Sequence, residues 1–243
     1  MKAVFGRVIA VFVFAVLIVA SLYLYDYLTT SERFAIREVE IRGLARADTA
    51  EVWRLLADLK GQNILLAPLD SYAERLRAHP RIESASLGRA LPGKVTCVIE
   101  EREPVLKVLT DRYYEVDPNG TVMKGDAYTP MLDLPLVTGL PSEAVKPGAV
   151  SVDPRLRNAL KALEVCRELG GDFAEGISEL RSTETGVTIL SAEQDCVLLL
   201  GDSDYENRLR KFFLLRDTLV NNEPTARVID LRFDHQVVVR AQI

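Results

Sequence analysis

The spacing of apolar residues changes several times along the chain, and each change marks a new part. Residues 8–25 (VIAVFVFAVLIVASLYLY) are apolar throughout, with no charged residue, Gly or Pro. At about 1.5 Å per residue this run makes a helix of about 27 Å, close to the roughly 30 Å hydrocarbon core of a bilayer. It therefore reads as a membrane span or as the start of a signal sequence. A cleavable signal closes on small residues, whereas Ser21 is followed by Leu22, Tyr23, Leu24 and Tyr25, which favours a retained span. Tyr23, Tyr25 and Tyr27 suit the interface at its far end, where an amphipathic ring keeps its body in lipid and its hydroxyl in water. Lys2 and Arg7 precede the run while Asp26 and Glu32 follow it, which predicts a cytoplasmic segment 1–7, a span 8–25, a linker 26–33 and an external remainder.

Beyond the linker the pattern becomes that of packed elements. Residues 34–43 alternate, with Val39 and Ile41 on one face and Glu38, Glu40 and Arg42 on the other, as in a half-buried strand. Asp48 and Glu51 have capping-box spacing, and Val52, Leu55, Leu56 and Leu59 follow at helical spacing up to Gly61. A second helix over 70–78 turns Tyr72, Ala73 and Leu76 inward and stops at His79-Pro80. Two strands, 82–89 and 95–103, are joined by Leu91-Pro92-Gly93-Lys94, which suits a type II turn. Residues 34–103 thus read β-α-α-β-β.

From residue 104 to 243 strands dominate. Short strands are predicted at 105–110, 113–116 and 121–124, with Asp117-Pro118-Asn119-Gly120 as a turn, and the proline-rich stretch 130–147 reads as a loop. Asp153 and Pro154 open a helix that ends at Gly170-Gly171. Strands follow near 177–181, 186–191 and 195–200. Ser203 and Glu206 have capping-box spacing for a helix over 204–221, and strands at 227–231 and 236–241 finish the pattern. The fold class is α+β: a transmembrane helix, the β-α-α-β-β unit, then a mixed α/β domain built on an antiparallel sheet with a terminal edge strand.

Charge and chemistry narrow the function. The part after residue 25 carries 28 of the 30 Lys and Arg and all 35 Asp and Glu, a formal charge of 28 − 35 = −7. That balance disfavours nucleic acid and adsorption to anionic lipid. Cys97, Cys166 and Cys196 lie too far apart for a disulfide scaffold or zinc site and sit in apolar settings, although one disulfide stays open. His79 and His235 have no ligand or base at metal or triad spacing, and Asp202-Ser203-Asp204 reads as a helix cap rather than a cation loop. Glu100, Glu101 and Glu103 beside Arg102 read as a charge-balanced face, and Asn119-Gly120-Thr121 as a turn rather than a glycosylated sequon. No catalytic, cofactor or metal site is predicted, and no small-molecule substrate. A binding module is favoured over a membrane-anchored envelope enzyme.

Residues 34–103 resemble the POTRA domain of the bacterial cell-division proteins FtsQ and DivIB. The pattern is Phe34-x-Ile36-x-x-Val39-x-Ile41-x-Gly43, then Gly61-x-Asn63-Ile64-Leu65, then Pro80-x-Ile82-x-x-Ala85-x-Leu87-x-Arg89-x-Leu91-Pro92, and Glu101-Arg102-Glu103-Pro104. The stretch from Ala226 through Asp230-Leu231-Arg232-Phe233 resembles the end of the same family's C-terminal domain. A POTRA component of envelope transport is the competing reading, but no repeated ten-residue alternation of a membrane barrel follows.

The resemblance implies a non-enzymatic division protein at the septum of the inner membrane. It implies that the C-terminal domain binds FtsB and FtsL by strand addition at its last strand, that the POTRA unit meets an FtsK-type partner, and that septal peptidoglycan synthesis is thereby controlled. Carried onto this chain, the partner-binding residues are Phe233, His235, Val237, Val238 and Val239. Periodicity by itself leaves open whether that last strand is an edge or is buried.

Overall fold

In the computed structural model the described residues are 2–124, 133–192, 195–222, 226–234 and 236–241. The chain divides into two units, Met1–Arg102 and Glu103–Ile243.

The first unit begins with helix α1, Lys2–Thr30. Its stretch Val11–Thr30 is long and apolar enough to cross a membrane, and none of it is buried against protein. The helix runs through 26–30, so most of the stretch expected as a linker is helical. A 3-10 turn, Glu32–Phe34, capped by the Ser31 hydroxyl, leads into strand β1, Glu38–Arg42. Helix α2, Thr49–Leu56, starts on Asp48, whose carboxylate accepts the Ala50 N–H at 2.8 Å. Glu51 does not close the expected capping box. Its carboxylate is hydrogen-bonded to His79 Nε2 at 3.0 Å. Helix α3 is Leu69–Arg77, and strands β2, Ile82–Ala90, and β3, Lys94–Glu101, complete the β-α-α-β-β order.

The three strands pair in the order β1-β3-β2, with β1 parallel and β2 antiparallel to β3. Helices α2 and α3 are too short to hold in water alone. They persist because Val52, Leu56, Tyr72 and Leu76 bury against Val95, Cys97 and Ile99, and each large apolar side chain so buried contributes about 1.5–3 kcal/mol. The hairpin turn is not type II, since the Leu91–Pro92 peptide is cis and Gly93 lacks the positive φ that type requires. Gly43 is needed where it stands: its φ is +85° and a Cβ there would lie 2.0 Å from the Ile99 carbonyl oxygen.

The second unit is built on a nine-stranded sheet. Its strands are β4, Leu106–Leu109; β5, Tyr113–Val116; β6, Val122–Lys124; β7, Leu136–Thr138; β8, Ile177–Thr183; β9, Gly186–Ser191; β10, Cys196–Gly201; β11, Ala226–Asp230; and β12, Val238–Ala241. The order across the sheet is β12-β11-β10-β9-β8-β7-β4-β5-β6. Between them run helices α4, Pro154–Gly170, α5, Asp172–Glu175, and α6, Tyr205–Asn222.

The sheet is mixed, not antiparallel as expected: β4 and β7, β7 and β8, and β10 and β11 pair in parallel. Helices account for two of these pairs. α4 with α5 joins β7 to β8, and α6 joins β10 to β11, and a helical crossover returns the chain to the starting end of the sheet. Strand β7 falls inside the stretch expected as loop, where Pro135 and Gly139 bracket a strand too short for alternation to register. The residue before α6 is Asp204, and the Ser203–Glu206 box does not form: the Ser203 hydroxyl donates to Asp202 at 3.1 Å and Glu206 pairs with Arg210 at 2.7 Å. The three Cys thiols are free and buried. Burial pushes Cys97 up to about 11 and Cys166 up to about 12, and raises Cys196 as well.

Candidate functional site

Register across the second unit's sheet aligns one row of side chains from edge to edge. From β12 it runs Val239, Ile229, Leu198, Ile189, Leu180, Val137, Val108, Tyr114 and Lys124. All seven interior members are buried, so the row is the spine of the core.

The two ends of the row differ. At the β6 end, Lys124 is exposed, and the outer side of the strand is already occupied: the Val122 N–H donates to Ala149 at 3.0 Å and the Gly148 N–H to Val122 at 2.8 Å. A lysine and a covering segment are both ways of closing a sheet edge. At the β12 end, the row finishes on half-buried Val239, and β12 pairs only with β11 among the described residues. One backbone side of β12 is thus open, flanked by branched apolar side chains, as strand addition requires.

The segment that delivers the chain to this edge is clasped in place. Asp230, fully buried at the end of β11, accepts three hydrogen bonds from Arg232: from Nε at 2.8 Å, from Nη2 at 2.6 Å and from the backbone N–H at 3.2 Å. The Arg232 hydrogen bonds outweigh burial and hold the Asp230 carboxyl below its ordinary range. Leu231 between them is buried, and its N–H donates to the Leu199 carbonyl at 3.0 Å. From α6, Lys211 Nζ donates to the carbonyls of Phe233 and Asp234, each at 2.8 Å.

Of the residues expected to bind a partner, Val238 and Val239 lie in β12. Val237 precedes the strand and packs against the core from a half-buried position, and Phe233 stands in the clasped turn, 43% exposed. His235 lies outside the described residues. Asp230, Arg232 and Lys211 position the site and had no assigned role in the sequence reading. The Asp-x-Arg spacing around a buried leucine was the available signal.

Other groups weighed as chemistry resolve into structure. Glu101 accepts the backbone N–H groups of Ala45, Arg46 and Ala47 at 2.8–2.9 Å. Burial pushes its carboxyl up, but those three bonds and the nearby Arg81 charge outweigh it and hold it below the ordinary value. Gly120 has φ +85° and Thr121 N–H donates to Asp117 Oδ1 at 2.7 Å, a turn. Among the described residues no three His, Cys, Asp or Glu side chains converge as metal ligands do.

Comparison with known proteins agrees with this architecture. Residues 34–102 match the family model described as POTRA domain, FtsQ-type, and residues 107–232 match that of cell division protein FtsQ/DivIB, C-terminal. The chain is 31% identical over 208 residues to a cell division protein FtsQ of Myxococcus fulvus, covering 86% of this chain and 73% of the relative. It is 31% identical over 201 residues to one of Anaeromyxobacter sp., covering 83% and 68%, and 22% identical over 218 residues to one of Geotalea daltonii, covering 89% and 79%. Both folded units, their order and the apolar helix ahead of them therefore place the chain in the FtsQ/DivIB family of bacterial cell-division proteins.

Proposed function

We propose that the chain is a bitopic, non-enzymatic division protein of the cytoplasmic membrane at the septum. Residues 8–25 span the bilayer, 1–7 stay in the cytoplasm, and the POTRA unit 34–103 and C-terminal unit 104–243 lie outside. Lys2 and Arg7 on one flank against Asp26 and Glu32 on the other support that orientation. The C-terminal unit holds FtsB- and FtsL-type partners, the POTRA unit meets an FtsK-type partner, and through these contacts the chain helps control septal peptidoglycan synthesis.

The observation that carries this reading is the asymmetry of the nine-stranded sheet, sealed at β6 and, among the described residues, unpaired on the outer side of β12. A partner strand would extend the ladder beside Val238, Val239 and Arg240, with Phe233 and Val237 at its margin. In an antiparallel pair, successive N–H groups point alternately to the paired strand and away from it. Val238→Pro and Val239→Pro therefore remove one N–H of each kind. Copurification of an FtsB-type partner with the full chain should fall for both variants, while only the one facing β11 loosens β12. Undiminished copurification with both would rule out strand addition at this edge.

A further inference from the structure

The geometry points to a lipid-contacting face on the POTRA unit: Leu65 and Leu66, with Leu91 beside them, rest in the headgroup layer of the membrane that holds α1. This rests on the reading of α1 as a membrane span.

The last four carbonyls of a helix have no partner within it. In α1 two of them are taken by one side chain from the folded domain: Asn63 Nδ2 donates to the Leu28 carbonyl at 2.7 Å and to the Thr29 carbonyl at 2.9 Å. Around this link, the Ser31 N–H donates to Tyr27 at 3.1 Å, the Ile64 N–H donates to Phe34 at 2.8 Å, and the Tyr27 and Phe34 rings meet edge to face at 6.2 Å. The helix therefore ends on the domain with no free spacer, and the depth of its end sets the depth of the residues around Asn63.

That depth follows from geometry. Leu28 lies three residues beyond Tyr25, the last residue of the apolar run, so its carbonyl is about 4.5 Å past the hydrocarbon edge. The headgroup layer is about 5–7 Å thick on each side. Asn63 thus sits in that layer, and the next residues fold tightly around it: Leu65 N–H donates to Asn63 Oδ1 at 2.9 Å and Leu66 N–H to the Asn63 carbonyl at 3.1 Å. One such turn keeps the Leu66 Cα within about 7 Å of the Asn63 Cα, with Leu65 between them.

Their side chains face outward, 37% and 59% exposed, although neighbouring Ile64 is fully buried. Leu91, 61% exposed, stands at the tip of the β2–β3 hairpin, which is tied to the same loop by Arg89 donating to the carbonyls of Ile64 at 2.7 Å and Ala67 at 2.8 Å. Apolar side chains held at this level gain by entering the boundary of the acyl region, as the apolar face of an interfacial helix does. The Gly-x-Asn-Ile-Leu stretch then has a division of labour: Gly61 turns the chain at φ +90°, Asn63 holds the helix, Ile64 fills the core and Leu65 meets lipid.

Depth-dependent fluorescence quenching tests this on the full chain. With Trp53 replaced by Phe, single tryptophans are placed by Leu66→Trp, Leu91→Trp, Leu17→Trp within the span, and Glu83→Trp near the far end of strand β2. Each protein is reconstituted in phosphatidylcholine vesicles whose acyl chains carry bromine near the headgroup or near the bilayer centre. The inference predicts blue-shifted emission at positions 66 and 91, quenched more by the shallow bromines than by the deep ones, quenching of position 17 by the deep ones, and none at 83. Because leucines make the contact, added salt should leave the quenching unchanged. Quenching at 17 with positions 66 and 91 as unquenched as 83 would leave the span standing and overturn the lipid-contacting face. No quenching at 17 would overturn the span and the inference with it.

Discussion

Replacing Asp230 by Asn tests whether the clasp below the open edge is what holds that edge. The carboxylate accepts two charge-assisted bonds from the Arg232 guanidinium and one backbone N–H, and it is buried while half of the Arg232 side chain is exposed. Asparagine keeps the volume and one acceptor oxygen but turns an NH2 group toward the second guanidinium donor. The loss of one charge-assisted bond and of the charge is worth about 1.5–3 kcal/mol in a protected site. Solvent screening of the exposed guanidinium reduces this to about 1–2 kcal/mol.

The sign of the pH dependence follows from the depressed Asp230 carboxyl. A group with a lowered folded pKa stabilises fully above its unfolded value, near 4, and its contribution is lost as pH falls through the folded value. The gap between wild type and Asp230→Asn should be full at pH 7 and close under acid. Opening of each unit can be read separately in the intact protein by urea-dependent thiol labelling, since Cys166 and Cys196 are buried in the second unit and Cys97 in the first. The variant should shift Cys166 and Cys196 labelling to lower urea, leave Cys97 unchanged and weaken partner capture. An unchanged midpoint at pH 7, or a gap that persists in strong acid, would refute the clasp.

The POTRA unit should respond to Glu101→Ala, which strips the acceptor from three backbone N–H groups. A loss of about 1–3 kcal/mol is expected, seen as earlier Cys97 labelling, and in the wild type this contribution too should vanish as pH falls through the lowered carboxyl value. Gly43→Ala should cost more than about 2 kcal/mol by the same readout, from a strained φ and a collision with the Ile99 carbonyl. With all three thiols buried and raised, the native protein at pH 8 should resist a thiol reagent until it unfolds, and prompt modification of any one would contradict the packing.

Much of this architecture could be read from local pattern. The apolar run, the β-α-α-β-β order, the Asp48 and Asp153 caps and the alternation that buries Val95, Cys97 and Ile99 are encoded within a few residues of one another. What pattern could not supply was pairing. β7 is a three-residue strand beside prolines, and the parallel pairs depend on which strands the helices return the chain beside. The two capping boxes failed for different reasons: Glu51 is taken by His79, near in space but distant in sequence, while Ser203 and Glu206 are taken by their sequence neighbours Asp202 and Arg210. The site divides in the same way. Val238 and Val239 are legible as a β-branched strand, whereas which sheet edge is left unpaired depends on the strand order, with β12 last beside β11 and the segment 148–149 covering β6 at the other end, and the role of Lys211 depends on α6 passing the turn at 233–234.

The most direct test of the open edge is amide hydrogen exchange of the full chain with and without the extracytoplasmic part of an FtsB-type partner. Strand addition at β12 predicts strong slowing of exchange within Val238–Ala241 on binding, while the β6 edge, already hydrogen-bonded to 148–149, stays as it was. A complex that forms while exchange in β12 is unchanged would contradict the account.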